Sequence, residues 1–250
     1  MPRPRRGAQG ADAPRPHGPG AFFGVLGQLR GGSAVDAPLG LIGAAKAMVR
    51  GTPADSPLTV RDVKASPDYV RIWTTRLREG EQAPDFELAQ IEAGELGARV
   101  RLSSYRHRQP VALLFGSYTS PAFRTQLQAL EQIASRFRDQ VAFFIVYVKE
   151  AHAEGAWVQT YNRRSGISFE EPQTLAERAA VARTLVERMG TSIPVLVDEP
   201  DNGVADEYGG WPSRLYLVGR DGRIAFQGGE GPFGVKPAEL EQAIQRELGS

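Results

Sequence analysis

Val111-Ala-Leu-Leu-Phe-Gly-Ser-Tyr-Thr-Ser-Pro-Ala-Phe-Arg124 reads as a buried strand that runs directly into a helix. Val111 to Phe115 is a continuous apolar run bounded by Pro110 and Gly116, the pattern of a strand covered on both faces. Thr119 or Ser120 suits a helix N-cap, because a short side-chain oxygen there accepts an otherwise orphaned N–H. Pro121 suits the first helical turn, where a missing N–H costs nothing. Phe123, Leu127, Leu130, Ile133 and Phe137 then recur at helical period and give one apolar face.

The same alternation of buried strand and amphipathic helix continues downstream. Val141 to Val148 is a second apolar strand. Thr174 to Met189 is a helix with Leu175, Ala179, Ala182, Leu185 and Met189 on one stripe, stopped by Gly190. Val195 to Val197 is a short strand. Arg214 to Val218 and Arg223 to Phe226 are strands joined through Asp221-Gly222, a strong hairpin signal. A last helix runs from Pro237 to Leu248, with Leu240, Ile244 and Leu248 inward. Upstream, Phe86 to Leu88 and Val100 to Leu102 alternate apolar and polar, with Gly94 and Gly97 between them, as a β-hairpin does. The order is hairpin, strand, helix, strand, helix, three strands, helix. It predicts an α/β sandwich around a mixed sheet.

The N-terminal third is of a different kind. Residues 1–35 are rich in Pro, Gly and Arg and predict a disordered arm. Residues 36–79 predict a helical extension packed on the main domain of residues 80–250. One helix is expected within Pro38–Val49 and another within Leu58–Arg78, the latter carrying Tyr69, Ile72, Trp73 and Leu77 on its stripe.

Composition sets the outer limits. The chain has 250 residues, 41% hydrophobic and 24% charged, with a net charge of +1. That balance gives no general drive toward nucleic acid or anionic membrane. No run approaches the roughly 20 apolar residues of a membrane span. The basic start lacks a strong apolar segment behind it, so a cytoplasmic protein is expected. Cysteine is absent, which excludes disulfides, thiolate metal sites and cysteine catalysis by this chain alone. No set of residues has metal-ligand spacing. Gly228 to Gly234 lacks the lysine and helix of a phosphate loop.

Gly80-Glu-Gln-Ala-Pro-Asp-Phe-Glu-Leu88, Val204 to Gly209, Trp211-Pro212 and Gly219-Arg-Asp-Gly222, in this order, resemble the thioredoxin-like superfamily. In that pattern Pro212 is the cis-proline that faces the active site. Phe115 to Phe123, Val146-Tyr-Val-Lys-Glu-Ala-His152 with Trp157, Tyr208-Gly209, Arg214 to Leu217 and Gln227 to Pro232 resemble the iodothyronine deiodinases. The resemblance spans about residues 80 to 248. It implies a reductive deiodinase acting on iodothyronine-type aromatic substrates. It also places Ser120 where that family carries selenocysteine, Tyr118 where it carries a nearby cysteine, and Pro172 where it has a histidine.

Ser120 therefore decides the activity. A helix N-terminus activates a thiol by lowering its pKa, whereas a serine hydroxyl needs an adjacent base. A serine oxygen also forms no disulfide and no stable sulfenyl-type intermediate. Ser120 reads first as an N-cap, second as a ligand contact, third as a nucleophile. Glu150 and His152 follow a buried strand, at the end where α/β proteins bind ligands. The resemblance gives them substrate contact or proton handling; the residues alone equally allow a surface loop pair. A hydrolytic pair of Ser120 with His152 has no glycine-flanked serine motif behind it. Tyr118, Phe123, Trp157 and Trp211 either line an aromatic pocket or pack the core. Thr119 and Pro212 join the expected ligand-contacting set. Arg214 either pairs with a substrate carboxylate or points to solvent. His107 and His17 read as exposed. The expected partners are a small aromatic or halogenated ligand and a second copy of the chain. No cofactor, metal, nucleic acid or stable membrane span is expected. Thiol-dependent turnover is expected to be weak or lost, and the alternative is a non-catalytic binding module.

Overall fold

The computed structural model describes residues 51–231 and 233–249. The arm over residues 1–35 and the helix expected over Pro38–Val49 lie outside the described residues.

The second expected helix is two helices, α1 (Val60–Ala65) and α2 (Pro67–Trp73). Pro67 divides them: it disfavours helical backbone at the residue before it, and Ser66 is extended. Thr59 and Asp62 form a reciprocal capping box on α1. Val63 and Ile72 anchor the two helices in the core. Leu77, expected on the same stripe, lies beyond the end of α2.

The hairpin is β1 (Glu87–Glu92) and β2 (Glu95–Arg101). Ala93 and Gly94 make its turn with φ of 47° and 84°, the paired left-handed conformation that tight hairpins favour. Gly97 thus lies inside β2 and not in the turn. There the Glu92 carboxyl fills the space a Cβ would take. A 3-10 turn, Leu102–Tyr105, leads to β3 (Val111–Gly116). Then follow α3 (Pro121–Phe137), β4 (Ala142–Tyr147), α4 (Thr160–Arg164), α5 (Leu175–Met189), β5 (Val195–Val197), α6 (Gly203–Tyr208), β6 (Arg214–Val218), β7 (Ile224–Gln227) and α7 (Pro237–Gly249). The expected order holds. The short helices α4 and α6 and the 3-10 turn add to it.

The sheet has seven strands in the order β2-β1-β5-β4-β3-β6-β7. β3, β4 and β5 are parallel; the other pairings are antiparallel. The crossovers β3-α3-β4 and β4-α5-β5 step in one direction and put both helices on one face with α7. The return through α6 covers the other face, together with α1 and α2. Alternate residues of β3 enter opposite cores: Ala112 and Leu114 meet α3, while Val111, Leu113 and Phe115 meet the α6 side. Burial on both sides explains the unbroken apolar runs of β3 and β4. This is the α/β, thioredoxin-like arrangement.

The carboxyl ends of β3 and β4 and the amino end of β6 meet at one rim of the sheet. β3 sits where the chain direction of the crossovers reverses. That is the place where an open α/β sheet presents loops to a ligand.

Candidate functional site

Ser117 to Ser120 turn from β3 into α3. Gly116 permits the turn, because a Cβ there would collide with the Phe123 ring packed against it. Ser120 is the N-cap of α3: its Oγ accepts the Phe123 N–H at 3.4 Å, with Pro121 in the first turn. Its own N–H donates to the Ser117 carbonyl at 3.1 Å. The expectation of a capped helix with Ser120 at its start is met in this geometry.

The side chains that join β3's loop to β4's loop centre on Thr119. Its N–H and hydroxyl both donate to Glu150 Oε2, at 3.0 and 2.6 Å. The same hydroxyl accepts the His152 backbone N–H at 3.0 Å. Tyr147 donates its phenol to Glu150 Oε1 and accepts the Tyr118 N–H at 3.0 Å. Among the described residues three donors therefore meet the Glu150 carboxylate. Burial raises its pKa despite the hydrogen bonds from Thr119 and Tyr147 that pull it down. Tyr147 is pushed far up for the same reason, with the Glu150 charge adding to burial.

His152 lies beside this group, 4% exposed. Its Nδ1 faces the Trp157 carbonyl at 3.0 Å, and its ring meets the Trp157 indole edge to face at 4.4 Å. A carbonyl only accepts, so Nδ1 carries the proton and Nε2 presents a lone pair. Among the described residues that buried Nε2 has no hydrogen-bond partner. Burial, reinforced by the nearby Arg124 charge, pushes the imidazole pKa down to about 3 against the pull of the Trp157 carbonyl. His152 is thus a neutral acceptor at physiological pH.

Arg124 supplies the positive charge behind the loop. It donates to the Tyr118 carbonyl and, at 3.0 Å, to Asn162 Oδ1, and its guanidinium lies 5.5 Å from the Tyr118 ring centre. Asn162, on α4, donates to the Thr119 carbonyl at 2.7 Å. Tyr118 packs against Phe169. Trp157 donates its indole N–H to Thr52 at 2.9 Å.

The other side of the rim comes from the segment before β6. The Trp211–Pro212 bond is cis. Trp211 packs tilted against Tyr69 and edge to face with Trp73, and donates its indole N–H to the Glu150 carbonyl at 3.4 Å. Arg214 is buried, and all three of its nitrogens donate to backbone carbonyls: Nε to Gly209 at 2.8 Å, Nη1 to Gly228 at 3.1 Å and Nη2 to Trp73 at 2.9 Å. It does not point to solvent.

Glu150, His152, Thr119, Tyr118 and Trp157 therefore form one hydrogen-bonded and packed group with the Ser120 turn. Among the described residues no hydrogen bond links Ser120 Oγ to Glu150 or His152, so no nucleophile–base pair is formed. Sequence reasoning missed Tyr147, Arg124 and Asn162. Tyr147 is hidden in an apolar strand. Arg124 had a signal, a charge on the apolar stripe beside Phe123.

The family model for iodothyronine deiodinase matches residues 65–248. Thyroxine 5-deiodinase of Gallus gallus is 33% identical over 162 residues, covering 64% of this chain and 60% of that protein. The Sparus aurata thyroxine 5-deiodinase is 32% identical over 170 residues, 67% of this chain and 60% of its own length. The chain thus spans about three-fifths of these relatives. A thiol:disulfide interchange protein of the thioredoxin family from Chlorobium tepidum superposes with a TM-score of 0.46 at 13% identity, covering 68% of this chain and 97% of that one. The family match runs from the end of α1 into α7 and takes in every residue of the group around Thr119, from Tyr118 to Trp157, and Arg214 as well; the chain belongs to the iodothyronine deiodinase family.

Proposed function

We propose that this chain keeps the ligand site of a deiodinase-family oxidoreductase and lacks its thiol-dependent redox step. The observation that carries this reading is Ser120, the N-cap at the position the family resemblance gives to selenocysteine, in a chain without a single cysteine. An oxygen at that N-cap takes up no electrons from a dithiol and forms no intermediate that a thiol releases. Iodide release from an iodothyronine in the presence of dithiothreitol tests it. The wild type is expected to stay near the uncatalysed rate. Ser120→Cys is expected to raise the rate at least about tenfold, equivalent to about 1.4 kcal/mol of barrier. Equal turnover by the two proteins sinks the reading.

The unpartnered Nε2 of His152 favours a second, compatible reading as a binding module. A neutral buried acceptor beside Trp157 suits a ligand that is aromatic and carries a hydroxyl donor. Such a bond is worth about 0.5–1.5 kcal/mol. Titration with 2-iodophenol is therefore expected to saturate, and His152→Ala to weaken it about three- to tenfold. Absence of saturation, or an affinity untouched by His152→Ala, argues against this use of the site.

A further inference from the structure

Glu171, Arg178 and Asp198 are charged groups that bind one another's elements behind the Thr119–Glu150–His152 group. Arg178 is 1% exposed on α5. Glu171 Oε2 accepts the backbone N–H of Glu150 at 3.0 Å, and its Oε1 accepts Arg178 Nη2 at 3.2 Å. Arg178 Nη1 donates to the carbonyls of Asp198 and Glu199, at 3.1 and 2.7 Å. The Asp198 carboxylate accepts the N–H groups of Glu199, Val204 and Ala205 at 3.0, 3.2 and 2.9 Å, and so caps α6. α6 leads through Gly209-Gly210 to Trp211, whose indole N–H returns to the Glu150 carbonyl at 3.4 Å. The circuit closes on the main chain of Glu150.

We propose that Glu171 and Arg178 are positioning residues, a clamp that holds the Glu150 main chain against Trp211 and loosens when Glu171 loses its charge. The geometry gives the reason. One carboxylate binds both the N–H of Glu150 and the guanidinium that ties α5 to the start of α6. Protonation of Glu171 weakens both bonds at once, because a neutral carboxyl is the poorer acceptor. The charged and titratable groups facing Glu171 are Lys149 at 3.8 Å, Glu150, Arg178, Tyr69 from α2 and Tyr147 from β4. Burial sets the Glu171 pKa at about 7, with Lys149 pulling it down and Glu150 pushing it up. The clamp therefore changes state near neutrality. This regulates the ligand site proposed above and rests on that reading only for its effect on affinity.

Amide and indole N–H resonances of the full chain, followed from about pH 5 to pH 9, test the clamp without a ligand. In the wild type the Glu150 amide and the Trp211 indole are expected to follow one titration with a midpoint near 7. The Trp157 indole, which is bound to Thr52, is expected not to follow it. In Glu171→Gln both inflections are expected to vanish. A Trp211 indole that ignores the Glu150 titration in the wild type overturns the clamp, as do inflections that survive in Glu171→Gln. The 2-iodophenol affinity is then measured across the same range. It is expected to follow the same midpoint in the wild type and to lose that dependence in Glu171→Gln; flat wild-type binding overturns the link to affinity. If the wild type does not bind 2-iodophenol at all, the ligand reading fails and the resonances alone decide the clamp.

Discussion

Arg214 shows how far a single side chain's role depends on contacts remote in sequence. Its guanidinium gathers the carbonyls of Trp73, Gly209 and Gly228, which come from three separate segments. Each bond leaves a buried acceptor unsatisfied when removed, at about 1–3 kcal/mol apiece. Arg214→Ala is therefore expected to cost about 3 kcal/mol or more in urea unfolding, with Arg214→Lys recovering little, because one ammonium does not reproduce the planar fork. A substrate-binding role predicts the opposite pattern: near-normal stability with lost 2-iodophenol affinity. The sequence left Arg214 between a substrate carboxylate and solvent, since strand alternation says nothing about which carbonyls converge on it. Ser120 was legible as an N-cap because that role needs only its neighbours Pro121 and Phe123. Thr119 was placed among ligand contacts, yet its hydroxyl and amide serve Glu150 and His152 across 31 and 33 residues of chain. No local pattern encodes such a bond.

Helices α3, α5 and α7 were readable because each is long enough to repeat its apolar stripe, and α5 carries a full Thr174–Glu177 capping box. α6 was not. It has six residues, its N-cap Asn202 makes no side-chain cap bond, and its first-turn amides are met by Asp198 from outside the helix. Its exit depends on Gly209, which has φ of 55° and backs onto the Thr74–Thr75 main chain. Gly166 shares the left-handed conformation at 68° but faces open space. Gly166→Ala is thus expected to cost about 1 kcal/mol of strain alone. Gly209→Ala adds a collision with backbone that cannot rotate away, and is expected to cost at least about 2 kcal/mol more and to shift the Trp211 indole resonance. Urea midpoints of the two variants check the difference. Equal midpoints mean that α2 and α6 yield to each other without cost.

The strand order was the least legible feature of the fold. Hairpin β1–β2 attaches beyond β5, through Ala89 opposite Val197 and Gln90 opposite Leu196. That pairing joins residues more than a hundred positions apart, and both strands carry only generic apolar patterning. Its consequence is that β5 becomes an interior strand, and Asp198, which follows it directly, is buried. Burial then governs how the folded protein holds protons. Asp198 is raised to about 6 and Glu171 to about 7, both chiefly by desolvation, and Glu150 is raised as well. A carboxyl with a raised pKa binds protons in the folded state that the unfolded chain does not. Its contribution to stability is complete below the unfolded pKa and is lost as pH rises through the folded value. His152 acts in the opposite sense: with its folded pKa near 3, it subtracts stability once the unfolded imidazole protonates below about 6.5. From about pH 8 down to about pH 6.5 the carboxyls outweigh His152, so stability is expected to rise on acidification. Below that His152 offsets one carboxyl only, and the rise continues on the other as Asp198 joins Glu171 in binding a proton. Urea unfolding at about pH 8, 7 and 6 measures this. The midpoint is expected to climb toward pH 6, and Glu171→Gln is expected to remove most of the climb between pH 8 and 7. A wild-type midpoint that stays flat or falls slightly over the same interval means that Lys149 and Arg178 outweigh burial and keep Glu171 ionised.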